Sequence, residues 1–179
     1  DLLKLEIDAE AIGDHDALKL VDKPNVFQTQ SFKSGAFEMQ DLSSQQVAYF
    51  MDLKPGLRVV DACAGAGGKS LHMAALMQNK GKIIALDIHE SKLEELKKRA
   101  ARGGVDIIET RWIESNKVIK RLKETADRVL LDVPCSGSGV IRRDPDTKWK
   151  LNEEECQKLT ELQQLILTDY SEMVKKGGL

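Results

Sequence analysis

Cys135 stands in a short stretch, LLDVPCSGSG at positions 130–139, whose residue types could perform covalent chemistry. The apolar residues before Asp132 predict the end of a buried strand, and the proline and glycine that follow predict a tight loop. In an open parallel α/β sheet, such loops form the edge where ligands bind. Cys135 is therefore either a working thiol or a small residue that fits a turn.

A second stretch of this kind is the glycine-rich sequence VVDACAGAGGKS at positions 59–70. Gly65, Gly67 and Gly68 allow a sharp turn and a close approach of the backbone to a ligand. Asp87 lies 19 residues after Gly68, at the end of the next predicted strand, where a carboxylate suits the hydroxyls of a ribose. Together these features predict a nucleoside-containing cofactor, whereas the glycines alone could simply turn the chain.

Three cofactor classes compete for this loop. A P-loop requires Gly-x-x-x-x-Gly-Lys-Ser/Thr; Gly68, Lys69 and Ser70 match its end, but Cys63 stands at the first glycine position. A dinucleotide site requires Gly-x-Gly-x-x-Gly, and Ser70 occupies its third glycine position. S-adenosylmethionine carries no phosphate for a lysine to bind, and Asp61 could face its cationic half. The P-loop remains a serious rival at this point.

The elements that must position these residues alternate along the chain. Short apolar stretches alternate with amphipathic ones, which predicts a doubly wound, mostly parallel sheet. Predicted strands lie within 57–65, 82–88, 105–110 and 127–133, and predicted helices cover 69–78, 91–101 and 116–125.

The last predicted helix begins at Asn152, with Glu155 three residues on as a capping box, and Gly177 fits its stop. Its apolar stripe consists of Leu159, Leu162, Ile166, Tyr170 and Met173. The sequence ends on Gly-Gly-Leu, which normally leads into a further strand. We therefore expect a fragment of a larger protein whose core is C-terminally incomplete.

The N-terminal part predicts less regular structure. Residues 17–21 predict a short strand, and 25–42 predicts extended segments and turns. Ser43 or Ser44 could cap a helix that ends at positions 55–56, Pro-Gly.

Composition bounds the class of protein. The 179 residues, 41% hydrophobic and 31% charged, suit one soluble domain with a real core. The net charge of −2 and 4% aromatic residues argue against a dedicated nucleic-acid coat or a broad stacking platform, although a local basic patch stays open. The three cysteines show no zinc spacing and favour a reducing, cytoplasmic location. No apolar run approaches about 18 residues, so we expect no membrane span.

Four motifs carry a resemblance to a known family: FQTQSFKSGAFEMQDLSSQ at 27–45, DACAGAGGKS at 61–70, ALDI at 85–88 and LLDVPCSGSGVIRRDPDTKW at 130–149. Over residues from about 25 to the end, the chain resembles the Sun-type (Fmu-type) RNA cytosine-5 methyltransferases. The resemblance implies a Rossmann-like core at 43–179 beside an extension at 1–42. It also implies S-adenosylmethionine as methyl donor and a cytosine of structured RNA as acceptor, with ribosomal RNA ahead of transfer RNA.

The resemblance also assigns site residues by motif. The cofactor's methionine part would be wrapped by the glycine loop, namely Cys63, Ala64, Gly65, Ala66, Gly67, Gly68 and Lys69. Asp87 would hold the ribose, and Asp132 would lie at the junction of cofactor and target base. The family often has an acidic residue near the adenine, whereas spacing puts Ile113 there in this chain. The backbone, Glu114 or Trp112 could make that contact instead.

Methylation of carbon 5 of cytosine needs covalent activation, because that carbon is a poor nucleophile. A thiolate adds to carbon 6, carbon 5 takes the methyl group, a base removes the carbon 5 proton and the thiol leaves. Cys135 and Asp132 are the catalytic candidates. In the DNA enzymes the Pro-Cys cysteine attacks, whereas in the Sun-type family a second cysteine, in a Thr-Cys-Ser motif on a later strand, attacks. We therefore expect this chain to lack the attacking thiol and Cys135 to help release the product.

The segment after Cys135 carries Arg142, Arg143 and Lys148, which are candidates for binding RNA phosphates; a solvated loop with locally paired charges is the alternative. Trp149 could stack a base, but a core anchor is the favoured interpretation. We expect a monomer.

The remaining cysteines, the histidines and the arginines of the helix at 91–101 and just after it are expected to have structural roles only. Cys63 and Cys156 suit packing, the three histidines have no metal or triad spacing, and Arg99 and Arg102 suit the exposed face of a helix. Two other functions remain open: a P-loop nucleotide hydrolase, and a non-catalytic module that binds cofactor or RNA.

Overall fold

The computed structural model of the chain describes residues 7–13, 16–21, 25–142, 144–150 and 152–179. Its strands are β1 (Ala9–Ala11), β2 (Leu18–Leu20), β3 (Arg58–Asp61), β4 (Lys82–Asp87), β5 (Ile108–Trp112) and β6 (Arg128–Leu130). β1 and β2 form an antiparallel pair, and the other four form a parallel sheet in the order β5-β4-β3-β6. The predicted parallel sheet is confirmed.

Helices cover both faces of this sheet. They are α1 (Gln30–Lys33), α2 (Leu42–Phe50), α3 (Gly68–Leu76), α4 (Glu90–Arg102), α5 (Lys117–Lys120), α6 (Thr147–Lys150) and α7 (Glu153–Ser171). Val59 of β3 packs in one cluster with Met73 of α3, whereas its neighbour Val60 packs in another with Ile119 of α5 and Met173. Alternate strand residues therefore face opposite helix layers, as a doubly wound sheet requires. No helix within the described ranges is long and apolar enough to cross a membrane.

The parallel register brings the carboxyl ends of the central strands to one edge. Asp61 of β3 lies opposite Ala85 of β4 and Leu130 of β6. Asp87, two residues beyond Ala85, and Asp132, two residues beyond Leu130, therefore lie at the edge that Asp61 also reaches. The loops after these strands form the ligand-binding edge of the sheet.

The last residue of the chain lies along β6. The N–H of Leu179 donates to the carbonyl of Asp127 at 3.0 Å, and the N–H of Val129 donates to the carbonyl of Leu179 at 2.8 Å. These bonds use the side of β6 that does not face β3.

Several predicted boundaries differ from the structure. Segment 25–42 contains a 3₁₀ turn (Val26–Gln28) and α1, whose cap is Thr29: its Oγ1 accepts from the N–H of Phe32 at 3.1 Å. Helix α2 begins after Asp41, so Ser43 and Ser44 lie inside the helix rather than at its cap. β5 begins at Ile108 rather than at 105.

The largest difference concerns the predicted helix at 116–125. Only the four residues of α5 are regular, and the chain then turns, with Glu124 in a left-handed conformation (φ +53°). Leu122 and Ala126 are almost fully buried, at 1% and 0% exposure. The chain leaves the helix early because both side chains must enter the core on the approach to β6.

The N-terminal segment packs on α4. The Arg102 guanidinium lies 4.2 Å from the Phe32 ring centroid, a cation–π contact. A Cβ at Gly35 (φ +76°) would lie 2.1 Å from the carbonyl oxygen of Arg102, so only glycine allows this close approach. The division of the chain at residues 42 and 43 stays a prediction.

Strand β5 forms the outer edge of the described sheet and is rich in charge. Glu109 lies 2.5 Å from Nζ of Lys82 and 2.5 Å from Nε of Arg111. Hydrogen bonds from these two cations hold the pKa of Glu109 below its usual value.

Candidate active site

The glycine loop begins where β3 ends and leads into α3. Gly65 (φ +55°) and Gly67 (φ +84°) have left-handed backbones, which glycine adopts without strain. A Cβ at Gly67 would lie 2.0 Å from Cδ1 of the buried Leu96, whereas one at Gly65 would meet no atom within 4 Å. Packing therefore requires Gly67, and Gly65 leaves open space for a ligand.

Asp87 lies beside this loop at the end of β4. Its Oδ2 accepts from the N–H of Gly65 at 2.8 Å, and its Oδ1 accepts from the N–H of His89 at 2.8 Å. The His89 Nδ1 lies 2.9 Å from the same Oδ1. Partial burial raises the pKa of Asp87, but the hydrogen bonds from His89 and Gly65 outweigh it, and the pKa is lowered. The structure thus brings a charged carboxylate next to the open glycine turn.

Ile113 follows β5 and lies next to Asp87. Its N–H donates to the Asp87 carbonyl at 2.9 Å, and its side chain packs partly buried against a core cluster. Trp112 is 45% exposed and donates its Nε1–H to the carbonyl of Ile88 at 3.0 Å, and Glu114 is exposed. Which of these side chains meets an adenine stays a prediction.

Asp61 is buried beneath the loop at 1% exposure. The Ser70 hydroxyl donates to its Oδ2 at 2.6 Å, whereas its buried Oδ1 has no hydrogen-bond partner among the described residues. Burial raises the pKa of Asp61 to about 6, although the Ser70 hydroxyl acts in the opposite direction. An unsatisfied carboxylate oxygen suits a cationic group on a bound ligand.

Lys69 and Asp132 join the two halves of the site. Nζ of Lys69 lies 2.5 Å from Oδ2 of Asp132. In a P-loop, the lysine and the serine after it face phosphates and a metal ion, whereas here Lys69 binds a carboxylate and the fully buried Ser70 binds Asp61. This geometry does not support the P-loop nucleotide hydrolase.

The three cysteines carry free thiols in different surroundings. Cys135 is exposed in the loop after β6, where Gln163 of α7 donates its Nε2–H to the carbonyl of Pro134 at 2.8 Å. Cys63 is partly buried; burial, together with the nearby Asp61 and other carboxylates, raises its pKa to about 11. Because a nucleophile must ionise, Cys63 suits packing. Cys156 is exposed on α7 rather than packed.

The segment after Cys135 carries the residues predicted to bind RNA. Arg142 and Lys148 are exposed, and Arg143 lies outside the described residues. The prediction that Trp149 anchors the core is wrong: Trp149 is 79% exposed, while Thr147, two residues earlier on α6, is buried.

The sequence did not predict the roles of several residues at or near the glycine loop. Arg99, assigned there to an exposed face, is only 16% exposed; it donates to the carbonyl of Ala66 at 2.7 Å and to Glu38 at 3.0 Å. Arg102 also binds Glu38. The sequence separation of 61 between Glu38 and Arg99 hides this contact from any local pattern. His89 could have been found, because a residue two positions after an aspartate often bonds to its side chain.

Comparison with known proteins places this arrangement in a family. Residues 48–179 match the family model described as 16S rRNA methyltransferase RsmB/F. The chain is 43% identical over 164 residues to the probable ribosomal RNA small subunit methyltransferase B of Bacillus subtilis (strain 168), covering 91% of this chain and 36% of that protein. It is 36% identical over 153 residues to the tRNA (cytosine(72)-C(5))-methyltransferase NSUN6 of Mus musculus, covering 79% and 32%.

A solved methyltransferase structure has the same fold as this chain. The methyltransferase homologue protein from Pyrococcus horikoshii superposes with a TM-score of 0.84 at 30% identity, over 99% of this chain and 56% of that one. The predicted Rossmann-like methyltransferase fold is thereby confirmed. The chain spans about a third of the length of the two curated relatives, 36% and 32%. Since the family model matches most of the chain, the chain belongs to the RsmB/F family of 16S rRNA methyltransferases.

Proposed function

We propose that the protein is an S-adenosylmethionine-dependent methyltransferase acting on carbon 5 of cytosine in RNA, with ribosomal RNA ahead of transfer RNA. The observation that carries the proposal is the 2.5 Å ion pair between Lys69 and Asp132. It joins the cofactor loop to the loop of Cys135, so a methyl donor and a thiol-bearing loop share one edge of the sheet. The names of the relatives, ribosomal and transfer RNA methyltransferases, support an RNA substrate.

The residues present fit S-adenosylmethionine. The unpartnered Oδ1 of Asp61 can accept from its ammonium group, and Asp87 can accept from its ribose hydroxyls. The loop from Cys63 to Lys69 would hold the methionine part, and Ile113 would lie near the adenine. When bound, the cofactor supplies a methyl group on a positively charged sulfur.

Asp132 and Cys135 act on the target base. Lys69 fixes the Asp132 carboxylate, which accepts a hydrogen bond from the amino group of the cytosine. Addition of a thiolate to carbon 6 raises the electron density at carbon 5, and loss of the carbon 5 proton to a base later allows the thiol to leave. Cys135 assists this release, and the attacking thiol is the second cysteine that the family resemblance implies.

The segment after Cys135 binds the RNA. Arg142, Arg143 and Lys148 bind phosphates and fix the register of the RNA beside the catalytic loop. The protein acts as a monomer in the cytoplasm.

Calorimetry tests the cofactor assignment. We expect S-adenosylmethionine to bind, ATP-magnesium not to bind, and Asp87→Ala to weaken binding at least about tenfold, since a charged hydrogen bond contributes about 1.5–3 kcal/mol. Asp106→Ala, at an exposed position before β5, is the matched control and should bind normally. Binding of ATP in place of S-adenosylmethionine would contradict the proposal.

Methyl transfer tests the reaction. The intact protein should transfer labelled methyl groups to RNA and yield 5-methylcytosine. If these 179 residues alone turn over, Cys135 is the attacking thiol and the role proposed for it is wrong.

A further inference from the structure

Trp149 presents an exposed aromatic face on the segment that follows Cys135. We propose that it stacks on an unpaired base adjacent to the target cytosine and so holds the RNA at the catalytic loop. The proposal rests on the RNA substrate proposed above. It adds a binding residue that is neither a phosphate contact nor a part of the cofactor site.

The exposure of Trp149 is the first observation. Tryptophan is usually well buried because its ring covers a large apolar area, yet 79% of Trp149 is exposed, and among the described large hydrophobic residues only Phe50, at 81%, is more exposed. An accessible ring is what stacking on an unpaired base requires.

The second observation is that Trp149 is tied to the catalytic loop. Backbone N–H groups donate along the segment over 2.9 to 3.3 Å: Val140 to Gly137, Asp144 to Val140, Thr147 to Asp144, and Trp149 to Asp146. The buried Thr147 also packs on the turn, since a Cβ at Gly137 would lie 3.4 Å from its Cγ2. Gly137 is two residues from Cys135, so these contacts hold the backbone that carries the indole close to the loop that carries the thiol.

Charged side chains flank the Trp149 ring, and stacking adds to their effect. The Lys148 ammonium lies 4.7 Å from the Trp149 ring centroid, where it can bind a phosphate beside a stacked base. Arg142 adds a second exposed cation, but Asp144 and Asp146 are exposed on the same segment. With Arg143 and Lys150 counted, residues 140–150 carry a formal charge of +2, which gives only a modest attraction for a phosphate backbone. An aromatic contact supplies affinity that does not depend on net charge.

The proposed reaction itself leaves an unstacked nucleobase next to the target cytosine. An enzyme that modifies a cytosine must take it out of the stack, and its neighbours then lose a stacking partner. A tryptophan beside the catalytic loop replaces that partner, which favours the open form of the RNA over the paired one.

RNA binding by ring variants of the intact protein tests this inference. The probe is a single-stranded oligonucleotide of about twelve nucleotides containing one cytosine, with the same sequence as a duplex for comparison. We expect Trp149→Ala to weaken single-strand binding about 5- to 150-fold and Trp149→Phe to retain most of the affinity. The affinity for S-adenosylmethionine should stay unchanged in both, which shows that the variants fold.

Phe50→Ala is the matched control. Phe50 is equally exposed, but its neighbour Met51 accepts a hydrogen bond at 2.7 Å from Arg128 at the start of β6, at the opposite edge of the sheet. We expect this variant to bind RNA as the parent protein does.

Three outcomes would overturn the proposal. Trp149→Ala could bind RNA as tightly as the parent protein. Acrylamide could fail to quench Trp149 in the RNA-free intact protein, taken as the difference from Trp149→Phe, which would mean that another segment covers the ring. Failure of the parent protein itself to bind RNA would remove the proposed function as well, and only that outcome does so.

Discussion

The two halves of the site differ in how completely the protein has built them. On the cofactor side (residues 61–70 and Asp87), Asp61 is 1% exposed and Asp87 accepts hydrogen bonds on both oxygens. On the base side (residues 131–149), the Asp132 side chain is 51% exposed and Cys135 lies in a loop without regular structure.

This contrast suits two different ligands. A small cofactor gains affinity from groups that are already positioned before it arrives. In the function proposed above, a flipped base reaches its pocket with the RNA around it, which requires that side to stay open. Lys69 belongs to the cofactor side and binds Asp132 on the base side, which makes it the link between them.

The largest expected effect is that of Asp132→Asn, which should impair methyl transfer far more than cofactor binding. We expect methyl transfer by the intact protein to fall about 10²- to 10⁴-fold, the usual contribution of a positioned acid or base. Cofactor affinity should change less than about fivefold, because an ion pair to a half-exposed carboxylate contributes about 1 kcal/mol at most. Single-turnover methylation and calorimetry measure the two quantities.

Asp146→Asn, an exposed position on the same side, is the control and should turn over normally. If Asp132→Asn weakened cofactor binding as strongly as turnover, Asp132 would belong to the cofactor side and the contrast would fail.

The next largest effect should come from a Gly→Ala substitution in each half, measured as the change in the free energy of unfolding. Gly67→Ala places a Cβ 2.0 Å from Leu96 at a left-handed backbone position, and we expect the free energy of unfolding to fall by about 3 kcal/mol. Gly139→Ala meets no atom within 4 Å and should cost less than about 0.5 kcal/mol. Urea unfolding of both variants measures the difference; equal losses would show that the base side is as tightly packed as the cofactor side.

The buried Asp61 predicts a smaller, pH-dependent effect. Its pKa rises from 3.8 to about 6 on folding, so between these values the folded chain binds more protons than the unfolded chain. The free energy of unfolding therefore falls as the pH rises from about 4 to about 6. Asp61→Asn should remove this slope and raise the free energy of unfolding at pH 7 by at most about 3 kcal/mol, while weakening S-adenosylmethionine binding.

Urea unfolding from pH 4 to pH 8 checks this, with the exposed Asp106→Asn as the control that keeps the slope. A slope that survives unchanged in Asp61→Asn would mean that other groups produce it and that the pKa of Asp61 is not raised on folding.

The sequence was most informative where local rules decide the structure. The strand ends at Asp61 and Asp87 follow from buried apolar runs, and the close approach at Gly67 follows from the need for a residue without a Cβ. These features are settled within a few neighbouring positions, which is why the sequence could predict the strand ends and the glycine turn of the cofactor side.

Contacts between distant segments could not be predicted in this way. The spacing of Arg99 along α4 suits an exposed face, and only the folded chain brings Glu38 to it. Tryptophan is a residue type that usually lies in a core, but the burial of Thr147 turns α6 so that the Trp149 ring faces solvent. α5 ends early because Leu122 enters the core, a demand of packing that outweighs helix propensity.

The charged outer strand also bears on how the protein behaves at high concentration. An edge strand offers unpaired backbone groups on which a strand of another molecule can assemble. On β5, the ion-paired side chains of Glu109 and Arg111 are hydrated. A strand that pairs with this edge would have to desolvate them, which costs free energy. Because the pKa of Glu109 is lowered, this barrier to sheet-by-sheet aggregation persists into mildly acidic solution.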